Sequence, residues 1–384
     1  MPSPAVQPLL CLMAYPVGGN PTQYLIERVF AKHDLDWRYL TFEVRPEDLS
    51  DAVRGLRALG FRGAHCVGSH RQQVIPLLDR TTDTAGMIGS VNLIFRDGDA
   101  LVGDNTEGKG LAAAIRAALA TMPEREIERA GTEPTALTPA PAPATGEGSC
   151  NAGETPAAEA LTPDPSATGA RGGDNSGETE PKSETALTPG PSPATGEGRH
   201  GGGPAHAARE GKSVSSPTAV PRDGWAAGRR AVLFGAGQLA RATAIELAAA
   251  GIAGLTIIDR TESRAAELAS LLATTFGTPA ETVAWSDGYA APPDIDILIN
   301  VTSLGDGADG MPPLRLDSLR ADLLVVDAGR KPTQFLEKAR DRGCPTVDGL
   351  AMFVEQIAIS VQLWTGVDPD RQLLRDAAEE FLGL

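Results

Sequence analysis

Cysteine and aromatic residues are scarce in this chain, and their scarcity excludes two kinds of scaffold. The 384 residues include only four cysteines, and Phe, Trp and Tyr together make up 4% of the chain. The cysteines lie far apart, at Cys11, Cys66, Cys150 and Cys344, and no Cys-x-x-Cys pair or Cys/His cluster occurs. Structural zinc sites and disulfide frameworks need such clustering. We therefore expect reduced thiols and no metal site.

Positive charge and long apolar runs are also in short supply. Lys and Arg number 34 against 50 Asp and Glu, which gives a formal net charge of −16. Nucleic-acid binding needs a basic surface, so this class of partner is not expected. No run of about 18 apolar residues is present and the first basic residue is Arg28, so we predict neither a membrane span nor a secretion signal. We expect a cytoplasmic protein, monomer or homodimer, whose partner is a small molecule.

Glycine and proline, by contrast, are abundant, and many of them lie in one segment. Residues 131–222 contain 14 Pro and 15 Gly but no aromatic residue. The sequence TALTPAPAPATGEG at 135–148 returns as TALTPGPSPATGEG at 185–198. So few large apolar side chains cannot offset the entropy cost of ordering such a segment. We predict a disordered low-complexity insert between two folded blocks, 1–130 and 223–384, and leave open a protein-binding Pro-rich motif within it.

The first block alternates strand-like and helix-like segments, which is typical of an α/β domain with a mixed or parallel sheet. Val91–Phe95 and Leu101–Gly103 flank an Asp-Gly tip, which is a β-hairpin signal. The remaining predicted elements are, in chain order, Leu9–Ala14 (strand), Pro21–His33 (helix), Trp37–Val44 (strand), Pro46–Leu59 (helix), Gly60–Val67 (strand) and Gly110–Leu119 (helix).

The second block carries a dinucleotide-binding pattern. A strand at Arg230–Phe234 leads directly into Gly235-Ala236-Gly237-Gln238-Leu239-Ala240, then a helix and a second strand at Leu255–Ile258. The first glycine allows a tight turn and the second lets the backbone approach a pyrophosphate, which the free N–H groups of the helix start can bind. We predict a Rossmann-like domain in which Gly235, Ala236, Gly237, Gln238 and Leu239 contact the cofactor.

The residues after the second strand bear on the choice between NAD and NADP. Asp259 can accept a hydrogen bond from a ribose 2′-hydroxyl, which favours NAD. Arg260 and Arg264 can bind a 2′-phosphate, and Thr261 adds a hydroxyl donor, which favours NADP. Two arginines against one carboxylate favour NADP, and NAD stays open because of Asp259.

Together these motifs resemble the shikimate dehydrogenase family, which includes quinate-using members. The segments that carry the resemblance are Ile88-Gly89-Ser90-Val91-Asn92, Gly103-Asp104-Asn105-Thr106-Glu107, Asp259-Arg260-Thr261-Glu262-Ser263-Arg264, Ile299-Asn300-Val301-Thr302-Ser303-Leu304-Gly305, and Asp348-Gly349-Leu350-Ala351-Met352 with Gln356 and Trp364-Thr365-Gly366. The resemblance implies a substrate-binding α/β domain at 1–130, a Rossmann-like NADP-binding domain at 223–366, and a C-terminal helix at 367–384 that packs back on the first domain. It also implies that Thr302 and Gly349 contact the cofactor.

The resemblance implies an activity as well, the NADP-dependent reduction of 3-dehydroshikimate to shikimate or of a closely related cyclic hydroxy acid. The family uses a Lys and an Asp as its catalytic pair, and in this chain Arg71 and Glu107 stand at those positions. The family's substrate-binding positions correspond here to Asn20, Thr22, Val67, Asn92, Arg330 and Gln356.

The altered catalytic pair leaves three hypotheses open. A guanidinium has a pKa above ~12 and is a poor proton shuttle, although it can stabilise developing negative charge. The chain can therefore be an active enzyme in which Arg71 assists electrostatically and Glu107 orients the site. It can also be a catalytically impaired NADP-binding homologue with a regulatory or scaffolding role, or an enzyme for a different substrate. His65 and His70 lie nearby, and we interpret both as structural histidines bonded to backbone.

Overall fold

A mixed sheet of six strands organises the N-terminal block. The computed structural model describes residues 6–123, 224–302, 304, 311–329 and 333–384. The strands of this sheet are β1 (Leu9–Ala14), β2 (Arg38–Glu43), β3 (Gly63–Cys66), β4 (Arg80–Thr81), β5 (Leu93–Asp97) and β6 (Ala100–Asp104). Their spatial order is β2-β1-β3-β5-β6-β4. Strand β5 runs antiparallel to β3 and β6, and the other neighbours are parallel.

Two of the sequence predictions lie outside the described residues. They are the disordered insert at 131–222 and the substrate contact of Arg330. All the residues that the structure does describe belong to one compact unit.

The described part of the N-terminal block has five α-helices, of which the sequence predicted three with somewhat different bounds, and the two short helices between residues 70 and 88 were not predicted. The five helices are α1 (Thr22–Lys32), α2 (Leu49–Ala58), α3 (His70–Gln73), α4 (Asp83–Ile88) and α5 (Glu107–Thr121). The helix predicted from Pro46 begins with a single 3₁₀ turn, and α2 starts only at Leu49. Gly60 then adopts a positive φ of 72°, which ends the helical path, so the strand predicted from this residue begins three residues later.

A fully parallel sheet of six strands organises the C-terminal block. Its strands are β7 (Arg230–Phe234), β8 (Gly254–Asp259), β9 (Ala280–Ala284), β10 (Ile297–Asn300), β11 (Leu324–Asp327) and β12 (Thr346–Val347). They lie in the order β12-β11-β10-β7-β8-β9 and are covered by α6 (Gln238–Ala249), α7 (Glu262–Phe276) and α8 (Gln334–Arg340). From β7 the chain adds β8 and β9 on one side and then β10, β11 and β12 on the other side. A ligand crevice forms where the strand order changes in this way, between β7 and β10. The α/β class and the Rossmann-like second domain are thereby confirmed.

Helix α5 packs against two other helices, and two glycines allow close contact with both. A Cβ atom on Gly108 would lie 2.6 Å from the carbonyl of Ala242 in α6. A Cβ on Gly110 would lie 2.7 Å from the carbonyl oxygen of Met352, in a further helix, α9 (Gly349–Thr365). Any side chain at either position would therefore force the helices apart.

The last helix, α10 (Arg371–Leu382), packs on the N-terminal block. Leu374, Ala377 and Ala378 join the apolar cluster that contains Leu25 and Ile26 of α1. Helix α9 contributes to the same cluster, so both closing helices contact the first sheet and its helices.

The described part of the chain holds no helix both long and apolar enough to cross a membrane. It also holds no cluster of three or more metal-ligating side chains. Cys11, Cys66 and Cys344 are free and buried, and burial raises the pKa of the Cys66 thiol to about 12.

Candidate active site

The glycine-rich turn after β7 forms one wall of an open crevice at the end of the parallel sheet. Gly235 adopts a φ of 112°, and a Cβ on it would lie 3.3 Å from Val301 and 3.4 Å from Thr302. Glycine is favoured here because this backbone conformation strains any residue with a side chain. Helix α6 then begins at Gln238, so its free N–H groups face the crevice where a phosphate would bind.

Asp259, at the end of β8, uses its carboxylate to hold two backbone turns. Its Oδ2 accepts a hydrogen bond from the amide of Ala236 at 2.8 Å. Its Oδ1 accepts one from the amide of Thr261, also at 2.8 Å. Each oxygen thus accepts one bond from the protein's own backbone, and the remaining lone pairs can still accept from a ribose hydroxyl.

The positive side of the crevice is built from two exposed arginines. Arg260 and Arg264 line it together with Thr261. The guanidinium of Arg260 lies 5.1 Å from the ring centre of Trp285, which is a cation–π distance. Because Trp285 follows β9, some 25 residues beyond the arginine along the chain, sequence reasoning missed it. A lone Trp directly after a strand was the available signal.

The remaining predicted cofactor residues divide into two groups. Thr302 lines the crevice beside Gly235, and its hydroxyl donates to Asn300 Oδ1 at 2.6 Å. Gln238 and Leu239 form the first turn of α6 and are half-buried. Gly349 instead packs against the end of β11, where a Cβ would lie 2.4 Å from the carbonyl oxygen of Ala328. Its role in this structure is close packing at the start of α9.

A second, more enclosed cavity lies in the N-terminal block. The residues that line it are Leu12, Asn20, Thr22, His65, Cys66, Val67, Arg71, Asn92, Glu107, Met352, Phe353 and Gln356. They include both predicted catalytic residues and every predicted substrate-binding residue that the structure describes. The predicted residues come from segments as far apart in the sequence as Asn20 and Gln356, which are 336 positions apart, and the fold brings them together.

Arg71 and Glu107 form a two-point ion pair at this cavity. Arg71 Nη1 lies 3.0 Å from Glu107 Oε2, and Nη2 lies 2.9 Å from Oε1. The side chains are 23% and 10% exposed, so the pair is partly shielded from water. Glu107 is the first residue of α5, where the helix dipole favours a negative charge. The two contacts hold the guanidinium plane in a fixed orientation, and Arg71 lines the cavity.

A network of buried amides and hydroxyls positions the turn that carries Glu107. Asn92 Oδ1 accepts from the Thr106 amide at 2.8 Å, and Asn92 Nδ2 donates to the Thr106 hydroxyl at 3.0 Å. Asn105 Oδ1 accepts from the Glu107 amide at 3.1 Å. The carbonyl oxygen and the NH₂ group of the Asn92 amide therefore both bond to Thr106 and hold the turn, and Asn92 also lines the cavity.

A fully buried ion pair supports the same turn from below. Lys109 Nζ lies 2.6 Å from Asp104 Oδ2, and both side chains are completely buried. The other carboxylate oxygen of Asp104 accepts from the Thr82 hydroxyl at 2.6 Å and from the Asn105 amide at 2.8 Å. Sequence reasoning missed Lys109, although a lysine between two glycines at a tightly packed helix start was a usable signal.

The entrance to α1 supplies two more predicted residues. Asn20 Oδ1 accepts from the amide of Thr22 at 2.9 Å and so orders the start of the helix. Thr22 is only 4% exposed. The Gln356 side chain reaches the cavity from α9 and makes no hydrogen bond with other described residues, so its amide is free to meet a ligand.

The two histidines differ in their partners. His70 is fully buried, and its Nε2 donates to the backbone carbonyl of Val44 at 2.7 Å, as predicted for a structural histidine. His65 was expected to bond to backbone, but both of its ring nitrogens meet side chains. Burial lowers the pKa of His65 to about 3, so the ring is neutral at physiological pH.

Family models match three parts of the chain. Residues 12–94 match the shikimate dehydrogenase substrate binding domain. Residues 221–304 match the shikimate / quinate 5-dehydrogenase model. Residues 349–379 match the shikimate 5′-dehydrogenase C-terminal domain.

Curated and solved relatives agree with these matches. A shikimate dehydrogenase (NADP(+)) from Moorella thermoacetica is 28% identical over 98% of this chain and 94% of its own length. The ligand-free 5-ketofructose reductase of Gluconobacter sp. strain CHM43 is 26% identical with a TM-score of 0.68, covering 98% of this chain and 99% of that one. A shikimate 5-dehydrogenase from Listeria monocytogenes, solved with shikimate and NAD, is 20% identical with a TM-score of 0.65 and covers 96% of each chain, and this likeness shows the fold alone.

Proposed function

This chain belongs to the shikimate dehydrogenase family, and on that basis we propose that it is an NADP-dependent oxidoreductase that interconverts 3-dehydroshikimate and shikimate or a closely related cyclic hydroxy acid. The observation that carries the proposal is that one chain holds both the cavity around Arg71 and Glu107 and the dinucleotide crevice. Helix α5 links the two, because it starts at Glu107 and its next residue, Gly108, touches α6 of the cofactor domain.

The crevice favours NADP over NAD. The residues that would hold the cofactor are the turn at Gly235 and Gly237 for the pyrophosphate, and Arg260 with Arg264 for a 2′-phosphate. Asp259 is engaged by two backbone amides, which supports a bracing role, and the case for NADP rests on the two arginines and on the NADP(+)-dependent relatives. When bound, the nicotinamide donates or accepts the hydride of the reaction.

Arg71 and Glu107 divide the work at the reacting oxygen. In the reductive direction, negative charge develops on the substrate carbonyl oxygen, and the guanidinium of Arg71 donates a hydrogen bond that stabilises this charge. Glu107 holds the guanidinium in place through the two-point contact. An arginine does not give up its own proton near neutral pH, so the proton that completes the hydroxyl comes from water.

The substrate lies against residues of the N-terminal block and α9. We propose that Asn20, Thr22, Asn92 and Gln356 offer hydrogen bonds to its hydroxyl groups, while Val67 contributes an apolar contact. Arg330 is proposed to meet the substrate carboxylate.

A reductase of an uncharged ketose is the second candidate. Of the cavity residues that the structure describes, Arg71 alone carries a positive charge, and Glu107 already balances it. This neutral lining suits a polyhydroxylated ketone without a carboxylate, and the solved relative at 26% identity is a 5-ketofructose reductase.

The test is NADPH oxidation by the purified protein with each substrate in turn. Efficient turnover of 3-dehydroshikimate supports the leading proposal, and a preference for 5-ketofructose supports the second candidate. NADPH binding without turnover of either compound would point to the impaired homologue with a regulatory or scaffolding role.

A further inference from the structure

His65 connects two buried hydroxyl groups that lie far apart in the sequence. Its Nδ1 lies 2.7 Å from the phenol oxygen of Tyr39 in β2. Its Nε2 lies 2.9 Å from the hydroxyl oxygen of Ser360 in α9. Tyr39 and Ser360 are fully buried and His65 is 2% exposed, yet His65 also lines the substrate cavity. One residue of the cavity wall, His65, is thus the middle member of a continuous series of buried hydrogen bonds.

The donor and acceptor in each of these hydrogen bonds follow from the bond that the Ser360 hydroxyl makes. The Ser360 hydroxyl has one proton, which it donates to the backbone carbonyl of Gln356 at 2.8 Å. Its oxygen must therefore accept from His65 Nε2–H. The neutral ring then has an unprotonated Nδ1, which accepts the Tyr39 phenol proton. One tautomer of His65 satisfies all the groups, so each residue in the series Tyr39, His65, Ser360 donates to the next, and Ser360 donates to the Gln356 carbonyl.

The end of this hydrogen-bonded chain coincides with a residue of the cavity. Gln356 lies one helical turn before Ser360, and its side-chain amide faces the cavity without a hydrogen bond to other described residues. The backbone of the same residue is pressed against α5, since a Cβ on Gly110 would lie 2.9 Å from the Gln356 amide nitrogen. The hydrogen-bonded chain and this contact hold Gln356 from two directions.

A second anchor lies one turn further along α9. Trp364 Nε1 donates to the carbonyl of Ile94 in β5 at 3.0 Å. Its ring lies edge-on to His65, with ring centres 4.7 Å apart. Gln356, Ser360 and Trp364 are spaced four residues apart and so share one face of the helix. That face is the one that meets the sheet.

We propose that Tyr39, His65 and Ser360 are positioning residues that set the rotation of α9 and thereby aim the Gln356 amide at the substrate. The inference rests on the proposed function, because it takes Gln356 to be a substrate contact. It assigns His65 a task other than proton transfer, although this histidine lies in the cavity wall.

The test removes the hydroxyl of Ser360 and compares the result with removal of a matched hydroxyl on the same helix. Ser360→Ala is expected to raise the KM for the keto substrate about tenfold, with kcat within about twofold and the KM for NADPH unchanged. Ser360→Thr keeps the hydroxyl and is expected to restore the KM. Thr365→Ala is the control, because Thr365 makes the same kind of bond to the Val361 carbonyl on this helix at 2.8 Å. It should leave the KM for the keto substrate unchanged.

Equal effects of the two alanine variants on the KM for the keto substrate, or an equal loss of NADPH affinity in Ser360→Ala, would overturn the proposal in favour of simple packing. An unchanged KM in Ser360→Ala would overturn it as well. If Ser360→Ala does not fold, Tyr39→Phe interrupts the chain at its other end and is expected to raise the same KM.

A readout without substrate separates this inference from the proposed function. In protein labelled with ¹⁵N-glutamine, Ser360→Ala should shift the side-chain amide signal of Gln356, and Thr365→Ala should not. The ring nitrogens of His65 should show a protonated Nε2 and an acceptor Nδ1 throughout the neutral range. If no substrate is turned over but these signals behave as stated, the proposed function fails while the positioning holds. An unmoved Gln356 signal in Ser360→Ala would contradict the positioning itself.

Discussion

The cofactor crevice and the substrate cavity are built by opposite strategies. The crevice is open, and it is formed by a local turn, a helix start and two exposed arginines. The cavity is enclosed, and its polar side chains are tied to one another by ion pairs and hydrogen bonds. The crevice can therefore bind through local backbone geometry and two exposed side chains, whereas the cavity depends on side chains that must be held by partners from elsewhere in the chain. Substitutions should accordingly act more severely and less locally in the cavity.

The largest effect on stability is expected beneath the cavity. Lys109→Ala removes the ion-pair contact that Lys109 makes with the fully buried carboxylate of Asp104. Loss of one partner of a buried pair costs about 3–5 kcal/mol. Urea denaturation should show this loss in the free energy of unfolding, and Arg54→Ala, at an exposed ion pair, serves as the control with little change. Equal stability of the two variants would remove the contrast between the buried cavity and the exposed surface.

The largest effect on activity is expected at the guanidinium. Arg71→Ala removes the proposed donor to the reacting oxygen, and losing such a donor lowers kcat by about 10²- to 10³-fold. The Kd for NADPH should be unchanged, because Arg71 lines the other cavity. Steady-state rates and NADPH fluorescence titration measure the two quantities. A variant that keeps its kcat would exclude Arg71 from the chemistry.

The buried histidine should make stability depend on pH. The pKa of His65 is about 3 in the folded protein and 6.5 in an unfolded chain. Between these pKa values only the unfolded state takes up a proton, so acidification lowers the free energy of unfolding by up to about 1.4 kcal/mol per pH unit. Above pH 6.5 the ring is neutral in both states, and His65 causes no such loss of stability.

Comparison with a variant isolates this effect from other titrating groups. The wild-type protein should lose more stability than His65→Gln when urea denaturation is carried out at about pH 4.5 instead of about pH 7. Parallel pH profiles of the two proteins would mean that His65 is not held neutral.

A smaller and more selective effect is expected in the crevice. Arg264→Ala should raise the KM for NADPH about tenfold and leave the KM for NADH nearly unchanged, since only NADP carries the 2′-phosphate. Arg260→Ala should act in the same direction, with an added loss of its contact to Trp285. Equal effects on NADPH and NADH would show that the arginines do not read the 2′-phosphate.

The smallest effect is expected from the carboxylate that braces the glycine-rich turn. Asp259→Asn keeps one acceptor oxygen and loses the other, so one of the two backbone contacts is weakened. We expect a few-fold rise in KM for NADPH and NADH alike, in line with about 1 kcal/mol for one hydrogen bond. A rise in the KM for NADH alone would show that Asp259 binds the ribose. Initial rates with the two cofactors measure both KM values.

The same contrast explains how much the sequence could predict. The strands at Leu9–Ala14 and Arg230–Phe234 were predicted at their observed bounds because each is a short apolar run, preceded in the second strand by one exposed arginine. The turn from Gly235 was predictable because its residues are contiguous and its chemistry is that of the backbone. The division of the helix after Pro46 was missed, since a 3₁₀ turn and an α-helix share one hydrophobic pattern.

The polar architecture of the cavity was much less predictable. His65 and Ser360 are 295 residues apart, and no local pattern records that they meet. The resemblance to a family supplied positions such as Arg71 and Gln356, but not the contacts that hold them. Those contacts depend on the packing of α5 on α9, which Gly110 permits and which only the three-dimensional structure reveals.

The central claim is that the Arg71–Glu107 pair supports catalysis in a shikimate dehydrogenase fold. Its most direct test is the rate of NADPH oxidation with 3-dehydroshikimate, measured side by side for the wild-type protein, Arg71→Ala, and the double variant Arg71→Lys with Glu107→Asp. We predict turnover by the wild-type protein and its loss in Arg71→Ala. No turnover by the wild-type protein at high enzyme concentration, together with turnover by the double variant, would contradict the claim.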